Sequence, residues 1–174
     1  MRIVMTGSPG TGKSSIARAL SSALGLELID IAEIARESGL VGKSHEVDVG
    51  SLSKALSFLK KRKSFLAEGH LACEMKLPAD SVIVLRCRPD ILRKRLQRRG
   101  YGKTKVGENV LSEALDYCTQ RVLQVYGKRP LELETGGRSA SWCAKAISSA
   151  VRNKKKTLDK IDYSDYLMRI AVEK

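Results

Sequence analysis

The run Gly7-Ser8-Pro9-Gly10-Thr11-Gly12-Lys13-Ser14 follows directly on the apolar segment Ile3-Val4-Met5. A buried strand that feeds a glycine-rich turn and then a helix is compatible with few architectures, chiefly parallel α/β sheets with ligands at the carboxyl ends of the strands. The turn itself suits phosphate. Glycines let backbone N–H groups converge on an anion, and the N-terminus of the following helix adds its partial positive charge. Gly10, Gly12, Lys13, Ser14 and Ser15 are therefore the candidate ATP-binding set. Lys13 is expected to reach the β- and γ-phosphates and to act catalytically, and the Ser14 hydroxyl to ligate Mg²⁺.

The rest of the chain alternates apolar strands with helices. Strands are expected at Arg2 to Thr6, Glu27 to Ile29, Ser64 to Glu68, Ser81 to Arg86 and Leu131 to Glu134. The first helix spans about Gly12 to Leu24, with Gly25 as its stop. Asp30 opens a second, with Glu33 as capping-box partner and Gly39 as its close. Ser51 caps a third, to about Lys63. Pro89 starts another that runs to Gly100, Tyr101 to Gly107 reads as a glycine- and lysine-rich loop, and one long helix fills Glu108 to Tyr126. A turn at Thr135-Gly136-Gly137-Arg138 leads to a helix over Ser139 to Asn153. The repeated order implies one P-loop α/β domain with a five-stranded parallel sheet flanked by helices. Residues 153–174 depart from the pattern: four polar residues precede Leu158, Ile161, Tyr163, Tyr166, Leu167 and Ile170. They can dock as an extra helix or serve as a partner-binding tail.

At 174 residues the chain can bury a substantial core, and no stretch approaches the ~20 apolar residues of a membrane span. No signal peptide is expected, and a cytoplasmic location follows. Cys73, Cys87, Cys118 and Cys143 lack paired spacing and read as free buried thiols. The 32 Lys and Arg against 19 Asp and Glu leave a net charge of +13, which favours a polyanionic partner. Part of that charge lies in Arg86 to Lys105, where nucleotide phosphates could use it. Another part, Arg152 to Lys156, could contact RNA through counterion release or simply be a solvated helix end.

Several positions together resemble a known family. The phosphate loop, Gly25, Asp30 with Ala35-Arg36, Glu68-Gly69-His70, Arg95-Leu96 with Arg99-Gly100-Tyr101, and Glu108-Asn109 are similar to adenylate kinase isoenzyme 6 and its archaeal relatives, over residues 1 to about 152. The resemblance implies a nucleoside-monophosphate-binding insertion at residues 30–50 and a short lid at residues 98–108. It also implies phosphoryl transfer between ATP and AMP, ATP hydrolysis, and late maturation of the small ribosomal subunit and its rRNA with a ribosomal-protein partner. Arg36 takes the place of the family's arginine for AMP and Arg99 that of its lid arginine for ATP. Arg138 is placed to close an adenine pocket with Gly136 and Gly137, while Arg95 can pair with an acid instead. The family's usual Asp-x-His is Glu-x-His here. Glu68 keeps the acid, one methylene longer, for a magnesium-bound water. His70 shares its expected strand face and could orient a nucleophilic water, which would favour hydrolysis. His45, Glu46 and Asp48 do not make a convincing metal site.

Two readings follow: a kinase moving the γ-phosphoryl of Mg-ATP to AMP, and an ATP-hydrolysing assembly switch. A shikimate-kinase type of small-molecule kinase is a weaker third, because it leaves Arg36 and Glu-x-His unexplained.

Overall fold

A computed structural model describes residues 1–42 and 46–172. Five parallel strands, β1 (Arg2–Thr6), β2 (Leu28–Asp30), β3 (Phe65–Glu68), β4 (Ser81–Arg86) and β5 (Leu131–Glu134), form one sheet in the order β2-β3-β1-β4-β5. The registers Met5 opposite Glu68, Thr6 opposite Val84, and Arg86 opposite Glu134 bring the strand ends to one rim. Strand order reverses at β1, so the crevice of this sheet opens beyond Thr6, where the glycine-rich run begins.

Alternation along the strands assigns the two faces. Ile3, Met5, Leu66, Ile83 and Leu85 pack under α1 (Lys13–Leu24) and α7 (Ala140–Arg152). Val4, Ala67, Val82 and Val84 face the other layer, which holds α2 (Ile31–Glu37), α3 (Val49–Ala55) and α6 (Tyr117–Tyr126). The helix α4 (Pro89–Arg98), α5 (Lys103–Ala114) and α8 (Ser164–Val172) build a third cluster beside the crevice around Leu92, Leu96, Val106, Val110, Tyr163 and Tyr166.

The expected caps hold at Asp30, whose carboxylate accepts from the Ala32 and Glu33 amides, and at Gly25, which is left-handed. Three expectations change, and one left open is settled. Asp48, not Ser51, caps α3, accepting from the Ser51 amide, and the helix tightens into a 3-10 turn over Leu56–Lys61. The loop expected at Tyr101 to Gly107 is already helical from Lys103, because Val106 and Val110, one turn apart, bury against Leu92 and Leu96. The single helix expected over Glu108 to Tyr126 breaks at Leu115 and Asp116: Asp116 is left-handed (φ 57°) with its carboxylate bonded to Arg86. Finally, the C-terminal segment docks on its own domain, with Tyr163 and Tyr166 buried.

Candidate functional site

The glycine-rich run is a rigid cup. Gly7 packs so close to β4 that an added Cβ would lie 2.3 Å from the Leu85 carbonyl oxygen, and its φ of +141° is costly for any other residue. The loop's carbonyls are tied back by protein donors. Thr11 Oγ1 donates to Ser8 O (2.8 Å), Arg95 Nη1 to Gly10 O (3.3 Å), and Thr135 Oγ1 to Thr11 O (2.9 Å). Lys13 Nζ folds onto the same loop, donating to Gly7 O (2.9 Å) and Ser8 O (3.0 Å). With the carbonyls committed and the first-turn amides of α1 lacking helical partners, the cup has donors to offer and few acceptors. Burial lowers the pKa of Lys13, against which the carboxylates of Glu68 and Glu113 act to keep it charged.

Three recesses lie around this cup, and the cup itself lines two of them. A cleft of about 350 Å³ extends toward β5, lined by Gly10, Gly12, Ser15, Arg99 and Arg138. A second, about 300 Å³, lies directly over the loop between Lys13, Ser14, His70, Arg99, Tyr101 and Lys105. A third, about 130 Å³ and almost wholly apolar, lies on the β2–β3 side and is lined by Ile31, Ala35, Arg36, Val47, Gly69 and His70. Arg99 is shared by the first two, His70 by the last two.

The sequence candidates distribute as follows. Gly10, Gly12, Lys13, Ser14, Ser15, Arg99 and Arg138 surround the two larger clefts, and Arg36 borders the small one. Arg36 and Arg99 are exposed, and their guanidinium groups hold no ion pair or hydrogen bond among the described residues. Glu68 ends β3 and is 4% exposed, with no side-chain hydrogen bond among the described residues, and its charge reaches Lys13. The strand stops there. His70 opens a 3-10 turn, His70–Cys73, so the two side chains do not share a strand face by alternation as expected. His70 is exposed at the rim; the protein around its ring, then Lys13 and Lys105, hold its pKa below the usual 6.5. His45 lies outside the described residues. Among those described, no group of three His, Cys, Asp or Glu could hold a metal, and the four cysteines are free and buried.

Two expectations about cations are overturned. Arg86, counted with the charge available to phosphates, is 1% exposed and bonded to Glu113 (2.7 Å), Glu132 (2.7 Å) and Asp116. Among the described residues Arg95 pairs with no acid; it braces the cup to the β5 turn through Gly10 O and Thr135 O (3.0 Å). Sequence reasoning missed Glu113, 2% exposed, which accepts from Arg86, the Cys87 amide (3.1 Å) and Ser8 Oγ of the loop (2.5 Å). The signal was Arg86 itself: an arginine closing an otherwise apolar strand must find carboxylates. Arg98, Thr135 and Lys105 were also missed, being ordinary polar residues until the fold gathers them at the clefts.

Known proteins match this arrangement. A family model described as an AAA domain covers residues 3–116, from β1 to the break after α5. A protein of Methanocaldococcus jannaschii named "putative adenylate kinase" is 35% identical over 96% of this chain and 97% of its own length. The chain belongs to this adenylate-kinase-like family. A relative of the same name from Natronomonas pharaonis is 36% identical over 96% of this chain and its full length, so the family likeness includes the C-terminal segment. Among solved structures, a shikimate kinase from Acinetobacter baumannii in complex with shikimate superposes with a TM-score of 0.66 at 21% identity, covering 88% of this chain and 94% of its own. A deoxyadenosine kinase from M. mycoides with bound dATP gives 0.61 at 18% identity, over 87% and 100%. At those identities the likeness is one of fold, the P-loop kinase fold, which this adenylate-kinase-like chain shares. No helix of the described residues is long and apolar enough to cross a membrane.

Proposed function

We propose that the protein is an adenylate kinase that transfers the γ-phosphoryl of Mg-ATP to AMP, giving two ADP. The observation that carries this reading is the succession of recesses: the β5-side cleft and the recess over the loop share the residues of the cup, and the latter shares His70 with the pocket on the β2–β3 side. Such a layout aligns two nucleotides in line across the cup, and positioning with charge stabilisation is most of what phosphoryl transfer needs. ATP would lie along the β5 side, its phosphates taken by the loop amides, Lys13 and Arg99, its base toward Arg138. AMP would occupy the β2–β3 side with Arg36 on its phosphate. Ser14, an exposed residue, and Glu68, whose carboxylate has no hydrogen bond among the described residues, would hold a magnesium ion, the latter through water; the metal would neutralise charge on the transferring group. Lys13 stabilises the charge that develops on that group. Arg99 and Lys105, at the two ends of the residue 98–108 stretch, act as a lid that draws cations over the phosphates and excludes water. The test is to incubate the protein with Mg-ATP, alone and with AMP, and follow AMP, ADP and inorganic phosphate separately. Loss of AMP with two ADP formed and no phosphate is expected; phosphate accumulating regardless of AMP overturns the reading.

A second reading is favoured by the opposite end of the sheet. Lys128, Arg129, Lys154, Lys155 and Lys156 line two grooves at the starts of β4 and β5, far from the cup, and Arg2 already neutralises Asp80 between them. This basic end suits a phosphodiester backbone and supports a role akin to that of adenylate kinase isoenzyme 6: ATP hydrolysis coupled to small-subunit assembly with rRNA or a ribosomal protein, in the cytoplasm. Binding of labelled duplex RNA that weakens steeply with salt, and is lost on changing Lys154, Lys155 and Lys156 together to Glu, is expected on this reading; salt-independent or absent binding removes its support.

A further inference from the structure

The C-terminal segment, outside every motif of the phosphate chemistry, is wired into the wall of the donor cleft. Its Asp159 carboxylate accepts from the Glu134 amide (2.9 Å) and from Arg138 Nη1 (2.5 Å), and its own amide donates to Glu132 O (3.1 Å). Four residues on, the Tyr163 hydroxyl bonds to Glu134, whose other carboxylate oxygen accepts from the Arg88 and Gly136 amides at 3.1 and 2.7 Å. The helix α8 then packs on α4 and α5, with Arg93 donating to the Tyr166 hydroxyl at 3.0 Å. One strap thus joins the β5 turn to both helices that flank residues 99–102.

Arg138 is the residue on which this converges. One face of its guanidinium lies over the Trp142 ring (4.4 Å to the centroid), its edge is pinned by Asp159 and by the Glu134 carbonyl (3.0 Å), and it lines the donor cleft. A guanidinium fixed at one face and one edge presents a flat surface to the cleft, the geometry that stacks on a planar base. Without its acid, a long arginine side chain would sample many rotamers and lose that surface.

We infer that residues 157–172 are a positioning strap for the donor nucleotide, and that Asp159 is its positioning residue, acting on the base of ATP through Arg138. The inference rests on the assignment of the β5-side cleft to ATP. Asp159 touches no nucleotide in this account. Its replacement therefore changes affinity for the donor and leaves the acceptor and the turnover step alone.

The experiment is a double-mutant cycle on the full chain, read by steady-state kinetics and by direct titration with a fluorescent ATP analogue. Asp159→Ala is expected to raise KM for ATP and the analogue's Kd about fivefold or more, with kcat and KM for AMP within about twofold. Asp159→Glu should recover part of the loss. In an Arg138→Ala background Asp159→Ala should add almost nothing, because the two act as one unit. Equal effects in both backgrounds, or a loss confined to thermal stability with KM unchanged, overturn the positioning role. Failure of the wild-type protein to bind the analogue would instead sink the ATP assignment, an outcome that the titration separates from the first.

Discussion

The two flanks of the phosphate cup are built in opposite ways. Toward β5, the wall is held by a dense set of bonds: Arg95 to Gly10 and Thr135, Thr135 to Thr11, Glu113 to Ser8 and Arg86, and Asp159 to Arg138. Toward β2 and β3, the wall is apolar, and its one arginine, Arg36, has no partner among the described residues. A pre-organised flank binds without an ordering cost, whereas a free arginine on an exposed helix gains its geometry only when a phosphate arrives. The first suits a nucleotide that is always the donor. The second suits an acceptor whose entry has to complete the site.

Lys13 lies in the recess between the flanks, and in the proposed reaction it acts on the phosphate passed between them, so its loss should be the most severe and the least selective. Lys13→Ala is expected to lower turnover by about a thousandfold or more while the fold persists, by the usual scale of electrostatic stabilisation in such sites. Retained turnover would remove the cup from the chemistry altogether.

Glu113 tests whether the β5 flank owes its rigidity to the buried cluster. Removing one partner of a buried ion pair costs about 3–5 kcal/mol. For a chain of this size Glu113→Ala should therefore depress Tm by roughly 10 °C, at about 2–4 °C per kcal/mol. A change within a degree or two in a thermal melt would mean that Asp116 and Glu132 suffice to hold Arg86 and that Ser8 needs no anchor.

How far this contrast could be read from the amino-acid sequence differs between the flanks. The cup and the succession of strands and helices were legible because they depend on local signals: glycines at a strand end, apolar runs, and the helix-opening residues Asp30 and Ser139. The braces were not, because each joins residues far apart in the chain, such as Ser8 with Glu113 or Arg138 with Asp159, and a surface-like Glu or Asp carries no mark of its partner. The same reason hid the break at Asp116. Local propensity favours a continuous helix, and a buried arginine from β4 overrides it. The end of β3 misled for the opposite reason, since a period of two was carried from Glu68, the last strand residue, to His70, where a 3-10 turn already begins.

His70 stands where the flanks join and should have a small, pH-dependent effect. Its pKa in the folded protein is lowered, so the unfolded chain takes up the proton first as pH falls through 6.5. Stability from this group is therefore present at higher pH and lost as pH falls through that window. His70→Gln is expected to flatten that part of the Tm–pH profile, and an identical slope in the variant would show that the ring does not titrate there. If ATP hydrolysis is also unchanged in the variant, the histidine is structural.

Initial rates over a full grid of ATP and AMP concentrations, for the wild type, Arg36→Ala and Arg99→Ala, test the division between the flanks most directly. An arginine–phosphate contact is worth about 1.5–3 kcal/mol, so about 10- to 100-fold in the affected constant. Arg36→Ala should raise KM for AMP by that factor with KM for ATP nearly unchanged, and Arg99→Ala should do the reverse. If both variants raise both constants alike, the two sides of the cup do not bind different nucleotides and the account is wrong.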